Sequence, residues 1–125
     1  MKWLALIAVL LATPAAAEDP WKWTKTDTVH EVAFTTLVFF DWQQTRWALF
    51  ESGIEGAHEQ NPLIGRHPSK TRLDLMALGG VLAHAAISRA LPAPYRRVWQ
   101  MTSFSVEGGA VVTNAAIVGG FKFDF

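Results

Sequence analysis

Three stretches of the chain carry apolar residues with few breaks, in a pattern typical of helices. They cover about residues 29–50, 72–91 and 98–119, and none of them contains proline. The first half of the first stretch is strongly apolar, whereas its second half, from Asp41 onwards, is mixed. Runs of this length predict helices rather than strands. The pattern therefore predicts an all-α fold in the form of a three-helix bundle.

The residues at the ends of these stretches predict where the helices begin and end. Asp27 or Thr28 is expected to cap the first helix and Ser69 the second, because short polar side chains accept hydrogen bonds from free backbone N–H groups. The Pro-Ala-Pro segment at 92–94 is expected to end the second helix, since proline cannot continue it. The glycine pair at 119–120 is expected to end the third.

Each stretch is also long enough to cross a membrane, because about 20 apolar residues in a helix span the hydrocarbon core. Half of the residues are hydrophobic, and aromatic residues lie near several helix ends, as they do at membrane interfaces. We therefore expect a transmembrane bundle. The alternative is a soluble periplasmic bundle with the same apolar residues in its core, since Asp41 and Arg46 make the first span marginal.

The first residues of the chain have the order of a secretory signal peptide. Lys2 is followed by an apolar run at 4–12 and by small residues that end at Ala17. We expect cleavage after Ala17, which gives a signal peptide at 1–17 and a single helical domain at 18–125. This leader predicts export, and with the helices it indicates the bacterial inner membrane.

Composition narrows the classes of partner. The chain has no cysteine, so it offers no disulfide and no thiolate metal site. Its 11 basic and 11 acidic residues balance, which gives no electrostatic reason to expect nucleic acid. The expected partners are the lipid bilayer and either another envelope protein or a second copy of the chain.

Ionisable residues lie near the centre of each predicted helix. Asp41, His84 and Glu107 fall within three residues of the three centres, which places them within about 4 Å of a common plane. Charged groups are costly in lipid, so these side chains are expected to face the bundle interior. They are the candidate catalytic and metal-ligating residues, and a divalent cation, a proton relay or a general base are all compatible with them. The alternative is a structural role, in which the cluster only fixes the register of the helices.

Helical spacing extends this set into one polar stripe on each helix. Residues three, four or seven apart share a face of a helix. The predicted polar intramembrane cluster consists of Asp41, Gln44, Thr45, His84, Gln100, Ser103, Glu107 and Asn114.

A loop pattern follows the first helix, after the Asp-x-x-x-Thr sequence at 41–45. Its residues are Glu59, Asn61, Pro62, Gly65, His67 and Pro68. The combination of an Asp-x-x-x-Thr helix with a Glu-x-Asn-Pro-Leu-x-Gly loop resembles small polytopic membrane proteins of proteobacteria and tailed phages, and is loosely similar to the DUF5658 class. In that group a later His, Glu and Asn also recur, at the positions of His84, Glu107 and Asn114 here. The resemblance covers about residues 28–118 and implies a polytopic membrane protein without an established activity.

These observations predict a small membrane protein of the cell envelope, of bacterial or phage origin. The expected role is non-enzymatic, as an accessory or interaction protein, and no residue is assigned as catalytic. The alternative is a membrane-embedded enzyme or ion site that uses Asp41, His84 and Glu107.

Overall fold

The computed structural model describes residues 18–125, which form three helices and contain no strand. Helix α1 runs from Lys25 to Phe50, α2 from Lys70 to Ala90 and α3 from Ala93 to Val118. The expectation of an all-helical bundle is therefore confirmed. The predicted signal peptide at 1–17 lies outside the described residues.

The three helices alternate in direction, so that α1 and α3 are parallel and α2 is antiparallel to both. Near their beginnings, the Gln100 side chain of α3 donates to the backbone oxygen of Asp27 on α1 (3.3 Å). Farther along, Gln44 of α1 donates to the backbone oxygen of Val111 on α3 (3.4 Å). Helix α1 packs mainly against α3 and less extensively against α2.

Helix α1 begins earlier than the sequence pattern suggested. Its N-cap is Thr24, whose hydroxyl accepts from the Asp27 N–H (3.1 Å), while the Asp27 carboxylate accepts from the Thr24 N–H (2.8 Å). This reciprocal capping box places Asp27 at the third helical position. The prediction of Asp27 or Thr28 as the cap is therefore wrong.

The other helix ends follow local rules that the sequence carries. Ser69 caps α2 by accepting from the Arg72 N–H (3.1 Å), as predicted. Helix α2 ends before the Pro-Ala-Pro segment, but α3 begins within it rather than at residue 98, because proline is tolerated in the first turn of a helix. Gly119, with a left-handed φ of 73°, ends α3 as expected.

The distribution of polar and apolar residues is the reverse of that in a soluble bundle. Within residues 18–125, the buried large apolar side chains are those of Phe34, Leu73 and Val111, whereas eight polar or charged residues are buried. Those eight are Asp27, Gln43, Gln44, Thr45, His84, Ser88, Arg96 and Gln100. Large apolar side chains instead point outwards from all three helices, among them Val29, Val32, Leu75, Leu78, Leu82, Val98, Val106 and Val112. The helices are therefore joined through polar groups and surrounded by an apolar exterior.

Membrane-spanning character is strongest in α2. Among the described residues, it is the one helix that is both long enough and apolar enough in composition to cross a membrane.

The segment after α3 folds back along α1. The Phe123 ring packs against Phe40, with ring centroids 6.0 Å apart. The Asp124 carboxylate lies 3.3 Å from the Arg46 guanidinium and 3.1 Å from the Lys70 ammonium. These contacts tie the end of the chain to the second half of α1 and to the start of α2.

Candidate functional site

A buried arginine joins the beginnings of α1 and α3 to the end of α2. Arg96 has no exposed surface. Its guanidinium donates to the Asp27 carboxylate (2.8 Å) and to the backbone oxygens of Ser88 (2.9 Å), Leu91 (3.0 Å) and Lys22 (3.0 Å). Carbonyls at the end of a helix have no partner within the helix, so a cation there satisfies them. Arg96 therefore closes the end of α2 and fixes α1 beside it.

The carboxyl group of Asp27 is held in its charged form. Burial acts to raise its pKa, but hydrogen bonds from Thr24 and from Arg96 outweigh burial, and the pKa lies below its ordinary value. The ion pair with Arg96 thus brings a full negative and a full positive charge together inside the bundle.

One helical turn farther along α1 lies a second buried group, which we call the Glu31 cluster: Glu31, His84, Ser88 and Gln100. The Glu31 carboxylate accepts from the Ser88 hydroxyl (2.5 Å) and from the Gln100 amide (2.9 Å), and it lies 3.0 Å from His84 Nδ1. Each of the three helices contributes to these contacts. A carboxylate held by three partners joins the helices at one defined register.

The imidazole of His84 lies between two aromatic rings. Its centroid is 3.8 Å from that of Phe34 and 5.1 Å from that of Trp99, and both contacts are stacked. Its Nε2 atom and the Trp99 Nε1 atom are buried without a hydrogen-bond partner among the described residues. His84 is thus enclosed within the helix interface.

The second half of α1 borders a cavity of about 600 Å³, which lies between α1, α3 and the segment that joins α1 to α2. We call it the acidic cavity, because four carboxylic acids line it: Asp41, Glu55, Glu59 and Glu107. The Asp41 carboxylate accepts from the Asn114 amide (2.6 Å). This cavity, unlike the surroundings of His84, offers space for a ligand.

The loop pattern found in the sequence forms one wall of this cavity. The Glu59 carboxylate accepts from the Asn61 N–H (2.8 Å), and the Asn61 side chain accepts from the Leu63 N–H (3.0 Å). The N–H groups of Ile64 and Gly65 both donate to the Asn61 backbone oxygen, and Gly65 has a φ of 91°, which favours glycine. The Glu-x-Asn-Pro-Leu-x-Gly sequence is therefore a self-bonded turn that places Glu59 and Asn61 on the cavity.

The structure does not bring the predicted polar cluster together at one place. Asp41, Thr45, Glu107 and Asn114 line the acidic cavity. His84 does not join them: it stacks on Phe34, seven residues before Asp41, which is about 10 Å along the helix axis.

The sequence-based prediction assumed that the centres of the three helices lie at the same level along the bundle. In the structure, the contact with Glu31 sets the position of His84 along the bundle. Within residues 18–125, no group of three or more acidic or histidine side chains is arranged to hold a metal ion. The geometry therefore does not favour a joint ion or catalytic site of Asp41, His84 and Glu107.

The remaining predicted residues have separate places. Gln44 is fully buried between α1 and α3, and Gln100 belongs to the Glu31 cluster. Ser103 is half-buried on α3. In the loop, Pro68 is buried directly before the cap of α2, whereas Pro62 and His67 are exposed.

Sequence reasoning missed Asp27, Glu31 and Arg96 as interior residues. The spacing of α1 contained the information for two of them, because the face of Asp41 and Thr45 continues backwards at intervals of three and four residues to Glu31 and Asp27. Arg96 gave no comparable indication, since its burial depends on where the end of α2 lies.

Comparison of the chain with protein-family models, curated proteins and solved structures found no match. The resemblance to small polytopic membrane proteins thus stays a prediction.

Proposed function

We propose that the chain is a small integral membrane protein of the bacterial inner membrane, in which the three helices span the bilayer as one bundle. Its proposed role is non-enzymatic, as an accessory or interaction protein of the cell envelope. The observation that carries this proposal is the reversed distribution of polarity, with polar groups between the helices and large apolar side chains on the outside.

The apolar exterior is disfavoured in water. Side chains such as Val32, Leu82 and Val112 are 61%, 62% and 70% exposed, and similar residues surround all three helices. Soluble monomers rarely expose a contiguous apolar surface of this kind, because contact of apolar area with water costs roughly 25 cal/mol per Å². In a bilayer the same side chains contact lipid, and the cost disappears.

The polar interior has the form that a bilayer requires. Asp27 and Arg96 pair with each other, and the Glu31 carboxylate has partners on the other two helices. Ionisable groups in membrane bundles face inwards and pair, since no water is available to solvate them. This pattern supports a structural role for the buried polar groups.

The lengths of the helices agree with this arrangement. Helices α1 and α3 have 26 residues each, or about 39 Å, which exceeds a hydrocarbon core of about 30 Å. One turn can therefore lie in the headgroup region, where the ion pair of Asp27 and Arg96 is least costly. Both residues lie outside the apolar spans at about 29–50 and 98–119.

Extraction of membranes tests the proposal. Membranes from cells that produce the full chain are washed with carbonate at alkaline pH, which removes peripheral proteins. We expect the chain to stay in the membrane pellet. Its release into the wash, together with a soluble marker of the periplasm, would contradict the proposal.

A further inference from the structure

The acidic residues of the chain fall into two groups that differ in their partners. The first group forms ion pairs with basic side chains and consists of Asp27, Glu31, Glu51, Asp74 and Asp124. In the second group, no basic side chain of the described residues lies within ion-pair distance. Four members of this second group are the acids of the acidic cavity, Asp41, Glu55, Glu59 and Glu107. Carboxyl groups without a basic partner are thus concentrated at one place.

The lining of the cavity contains no lysine and no arginine. Elsewhere in the bundle, a buried carboxylate is stabilised by a cation from a neighbouring helix, as Arg96 does for Asp27. An ionised carboxylate without a counter-charge is costly away from water, so a cation supplied from outside the chain would stabilise the charged form of these acids.

Thr45 provides a second and independent observation. Its side chain lines the cavity and is only 9% exposed. Two other hydroxyls on α1, those of Thr28 and Thr36, donate to the backbone oxygen four residues earlier. The Thr45 hydroxyl has no hydrogen-bond partner among the described residues, so it is free to bond to a ligand in the cavity.

The remaining walls are apolar and come from the loop and from α3. Ile54, Ile64, Val106 and Ile117 contribute to them. At about 600 Å³, the cavity lies within the range of about 300–1,000 Å³ that is usual for sites of small organic molecules. Such a volume is far larger than a metal ion needs, and no three side chains are placed to ligate one within the described residues.

We propose that the acidic cavity binds an organic cation, namely an ammonium group on an apolar body. The ammonium group lies between Asp41 and Glu107, with the Thr45 hydroxyl as a further hydrogen-bond acceptor. The apolar body contacts the isoleucines of the wall. The ammonium charge thus meets carboxyl groups that have no basic partner in the described residues, while the apolar body replaces water along the wall.

Calorimetry on the purified full chain in a neutral maltoside detergent tests this proposal, with hexylammonium as the probe at neutral pH. Hexanol is the matched neutral probe, and calcium and magnesium chloride are tested alone. We expect saturable binding of one hexylammonium, at least roughly tenfold tighter than any binding of hexanol, because only the ammonium forms charge-assisted hydrogen bonds. Equal binding of hexanol, or a response to the divalent cations alone, would overturn the proposal.

Substitutions locate the binding. Asp41→Asn and Glu107→Gln keep the shape of the side chains and should each weaken hexylammonium binding roughly tenfold. Asp19→Asn changes an exposed acid away from the cavity and should leave the affinity unchanged. Circular dichroism checks that each variant is folded, and Glu59→Gln, in the loop, replaces any helix variant that is not. Unchanged affinity in the folded cavity variants would refute the site, whatever the carbonate wash shows.

Discussion

Removal of the Arg96 guanidinium tests whether the buried polar contacts hold the three helices together. Arg96 is completely buried and donates to the Asp27 carboxylate and to backbone oxygens at the end of α2. In the variant Arg96→Met, an apolar chain of similar length takes its place, and the Asp27 carboxylate loses its counter-charge. Several backbone oxygens lose their donor as well.

The expected loss of stability follows from these contacts. Breaking a buried ion pair by removing one partner costs about 3–5 kcal/mol, because the other charge stays buried and uncompensated. The neighbouring substitution Arg97→Met is the control, since Arg97 is exposed and surface substitutions usually change stability by less than about 0.5 kcal/mol. The two variants remove the same charge from adjacent positions and differ only in burial.

Unfolding of each variant in mixed micelles, followed by circular dichroism, measures the difference. We expect Arg96→Met to unfold at a clearly lower denaturant concentration than Arg97→Met. Part of the loss should be recovered in the double variant with Asp27→Asn, because the uncompensated charge is then absent. Equal midpoints for Arg96→Met and Arg97→Met would refute the account of the interior.

Three further predictions follow from the same contacts. The pKa of Asp27 lies below its ordinary value of 3.8 in the folded chain, so the unfolded chain takes up a proton first as the pH falls, and the stability of the protein should decline below about pH 4. Unfolding measured at pH 5 and at pH 3 should show a smaller decline for Asp27→Asn than for the unsubstituted chain, and equal declines would contradict this. Glu31→Leu should lower stability by about 1–3 kcal/mol, because it removes the acceptor shared by three buried side chains; a neutral effect in the same unfolding assay would be evidence against the Glu31 cluster. Gly65→Ala should destabilise the protein by about 1–2 kcal/mol because the backbone at this position has a positive φ, whereas Gly79→Ala lies on open helix surface and should not. Equal unfolding midpoints for the two variants would contradict the turn geometry.

Local features of the sequence were sufficient to predict the helices and most of their boundaries, namely the end of α1, both ends of α2 and the end of α3. Ser69 and Gly119 act on the backbone next to them, so their roles follow from neighbouring residues alone. The start of α3 was placed too late because proline was interpreted only as a helix breaker, although it is also compatible with a first turn. The N-cap of α1 was missed because Asp27 acts as the acceptor of a capping box.

The pairing of side chains between helices could not be predicted in the same way. His84 pairs with Glu31 rather than with Asp41, and this choice depends on how far α2 is displaced along α1. A shift of one turn moves a side chain by about 5.4 Å, which exceeds the tolerance of any hydrogen bond. The sequence did not predict the acidic cavity. Asp41, Glu107 and the loop pattern were recognised separately, but the contact between the loop and the helices is a property of the folded chain.

The central claim, that the apolar exterior contacts lipid, is tested most directly by one pair of substitutions. Leu82 lies two residues from the middle of α2 and is 62% exposed, whereas Leu63 lies in the loop and is 72% exposed. Arginine at the centre of a span costs about 2.5–3.5 kcal/mol on insertion scales, whereas arginine on a surface in water costs little.

The measurement is the fraction of each variant that remains in carbonate-washed membranes. We expect Leu82→Arg to lower this fraction strongly and Leu63→Arg to leave it at the level of the unsubstituted chain. Equal fractions for the two variants would contradict the claim, because in a soluble bundle both leucines are merely exposed.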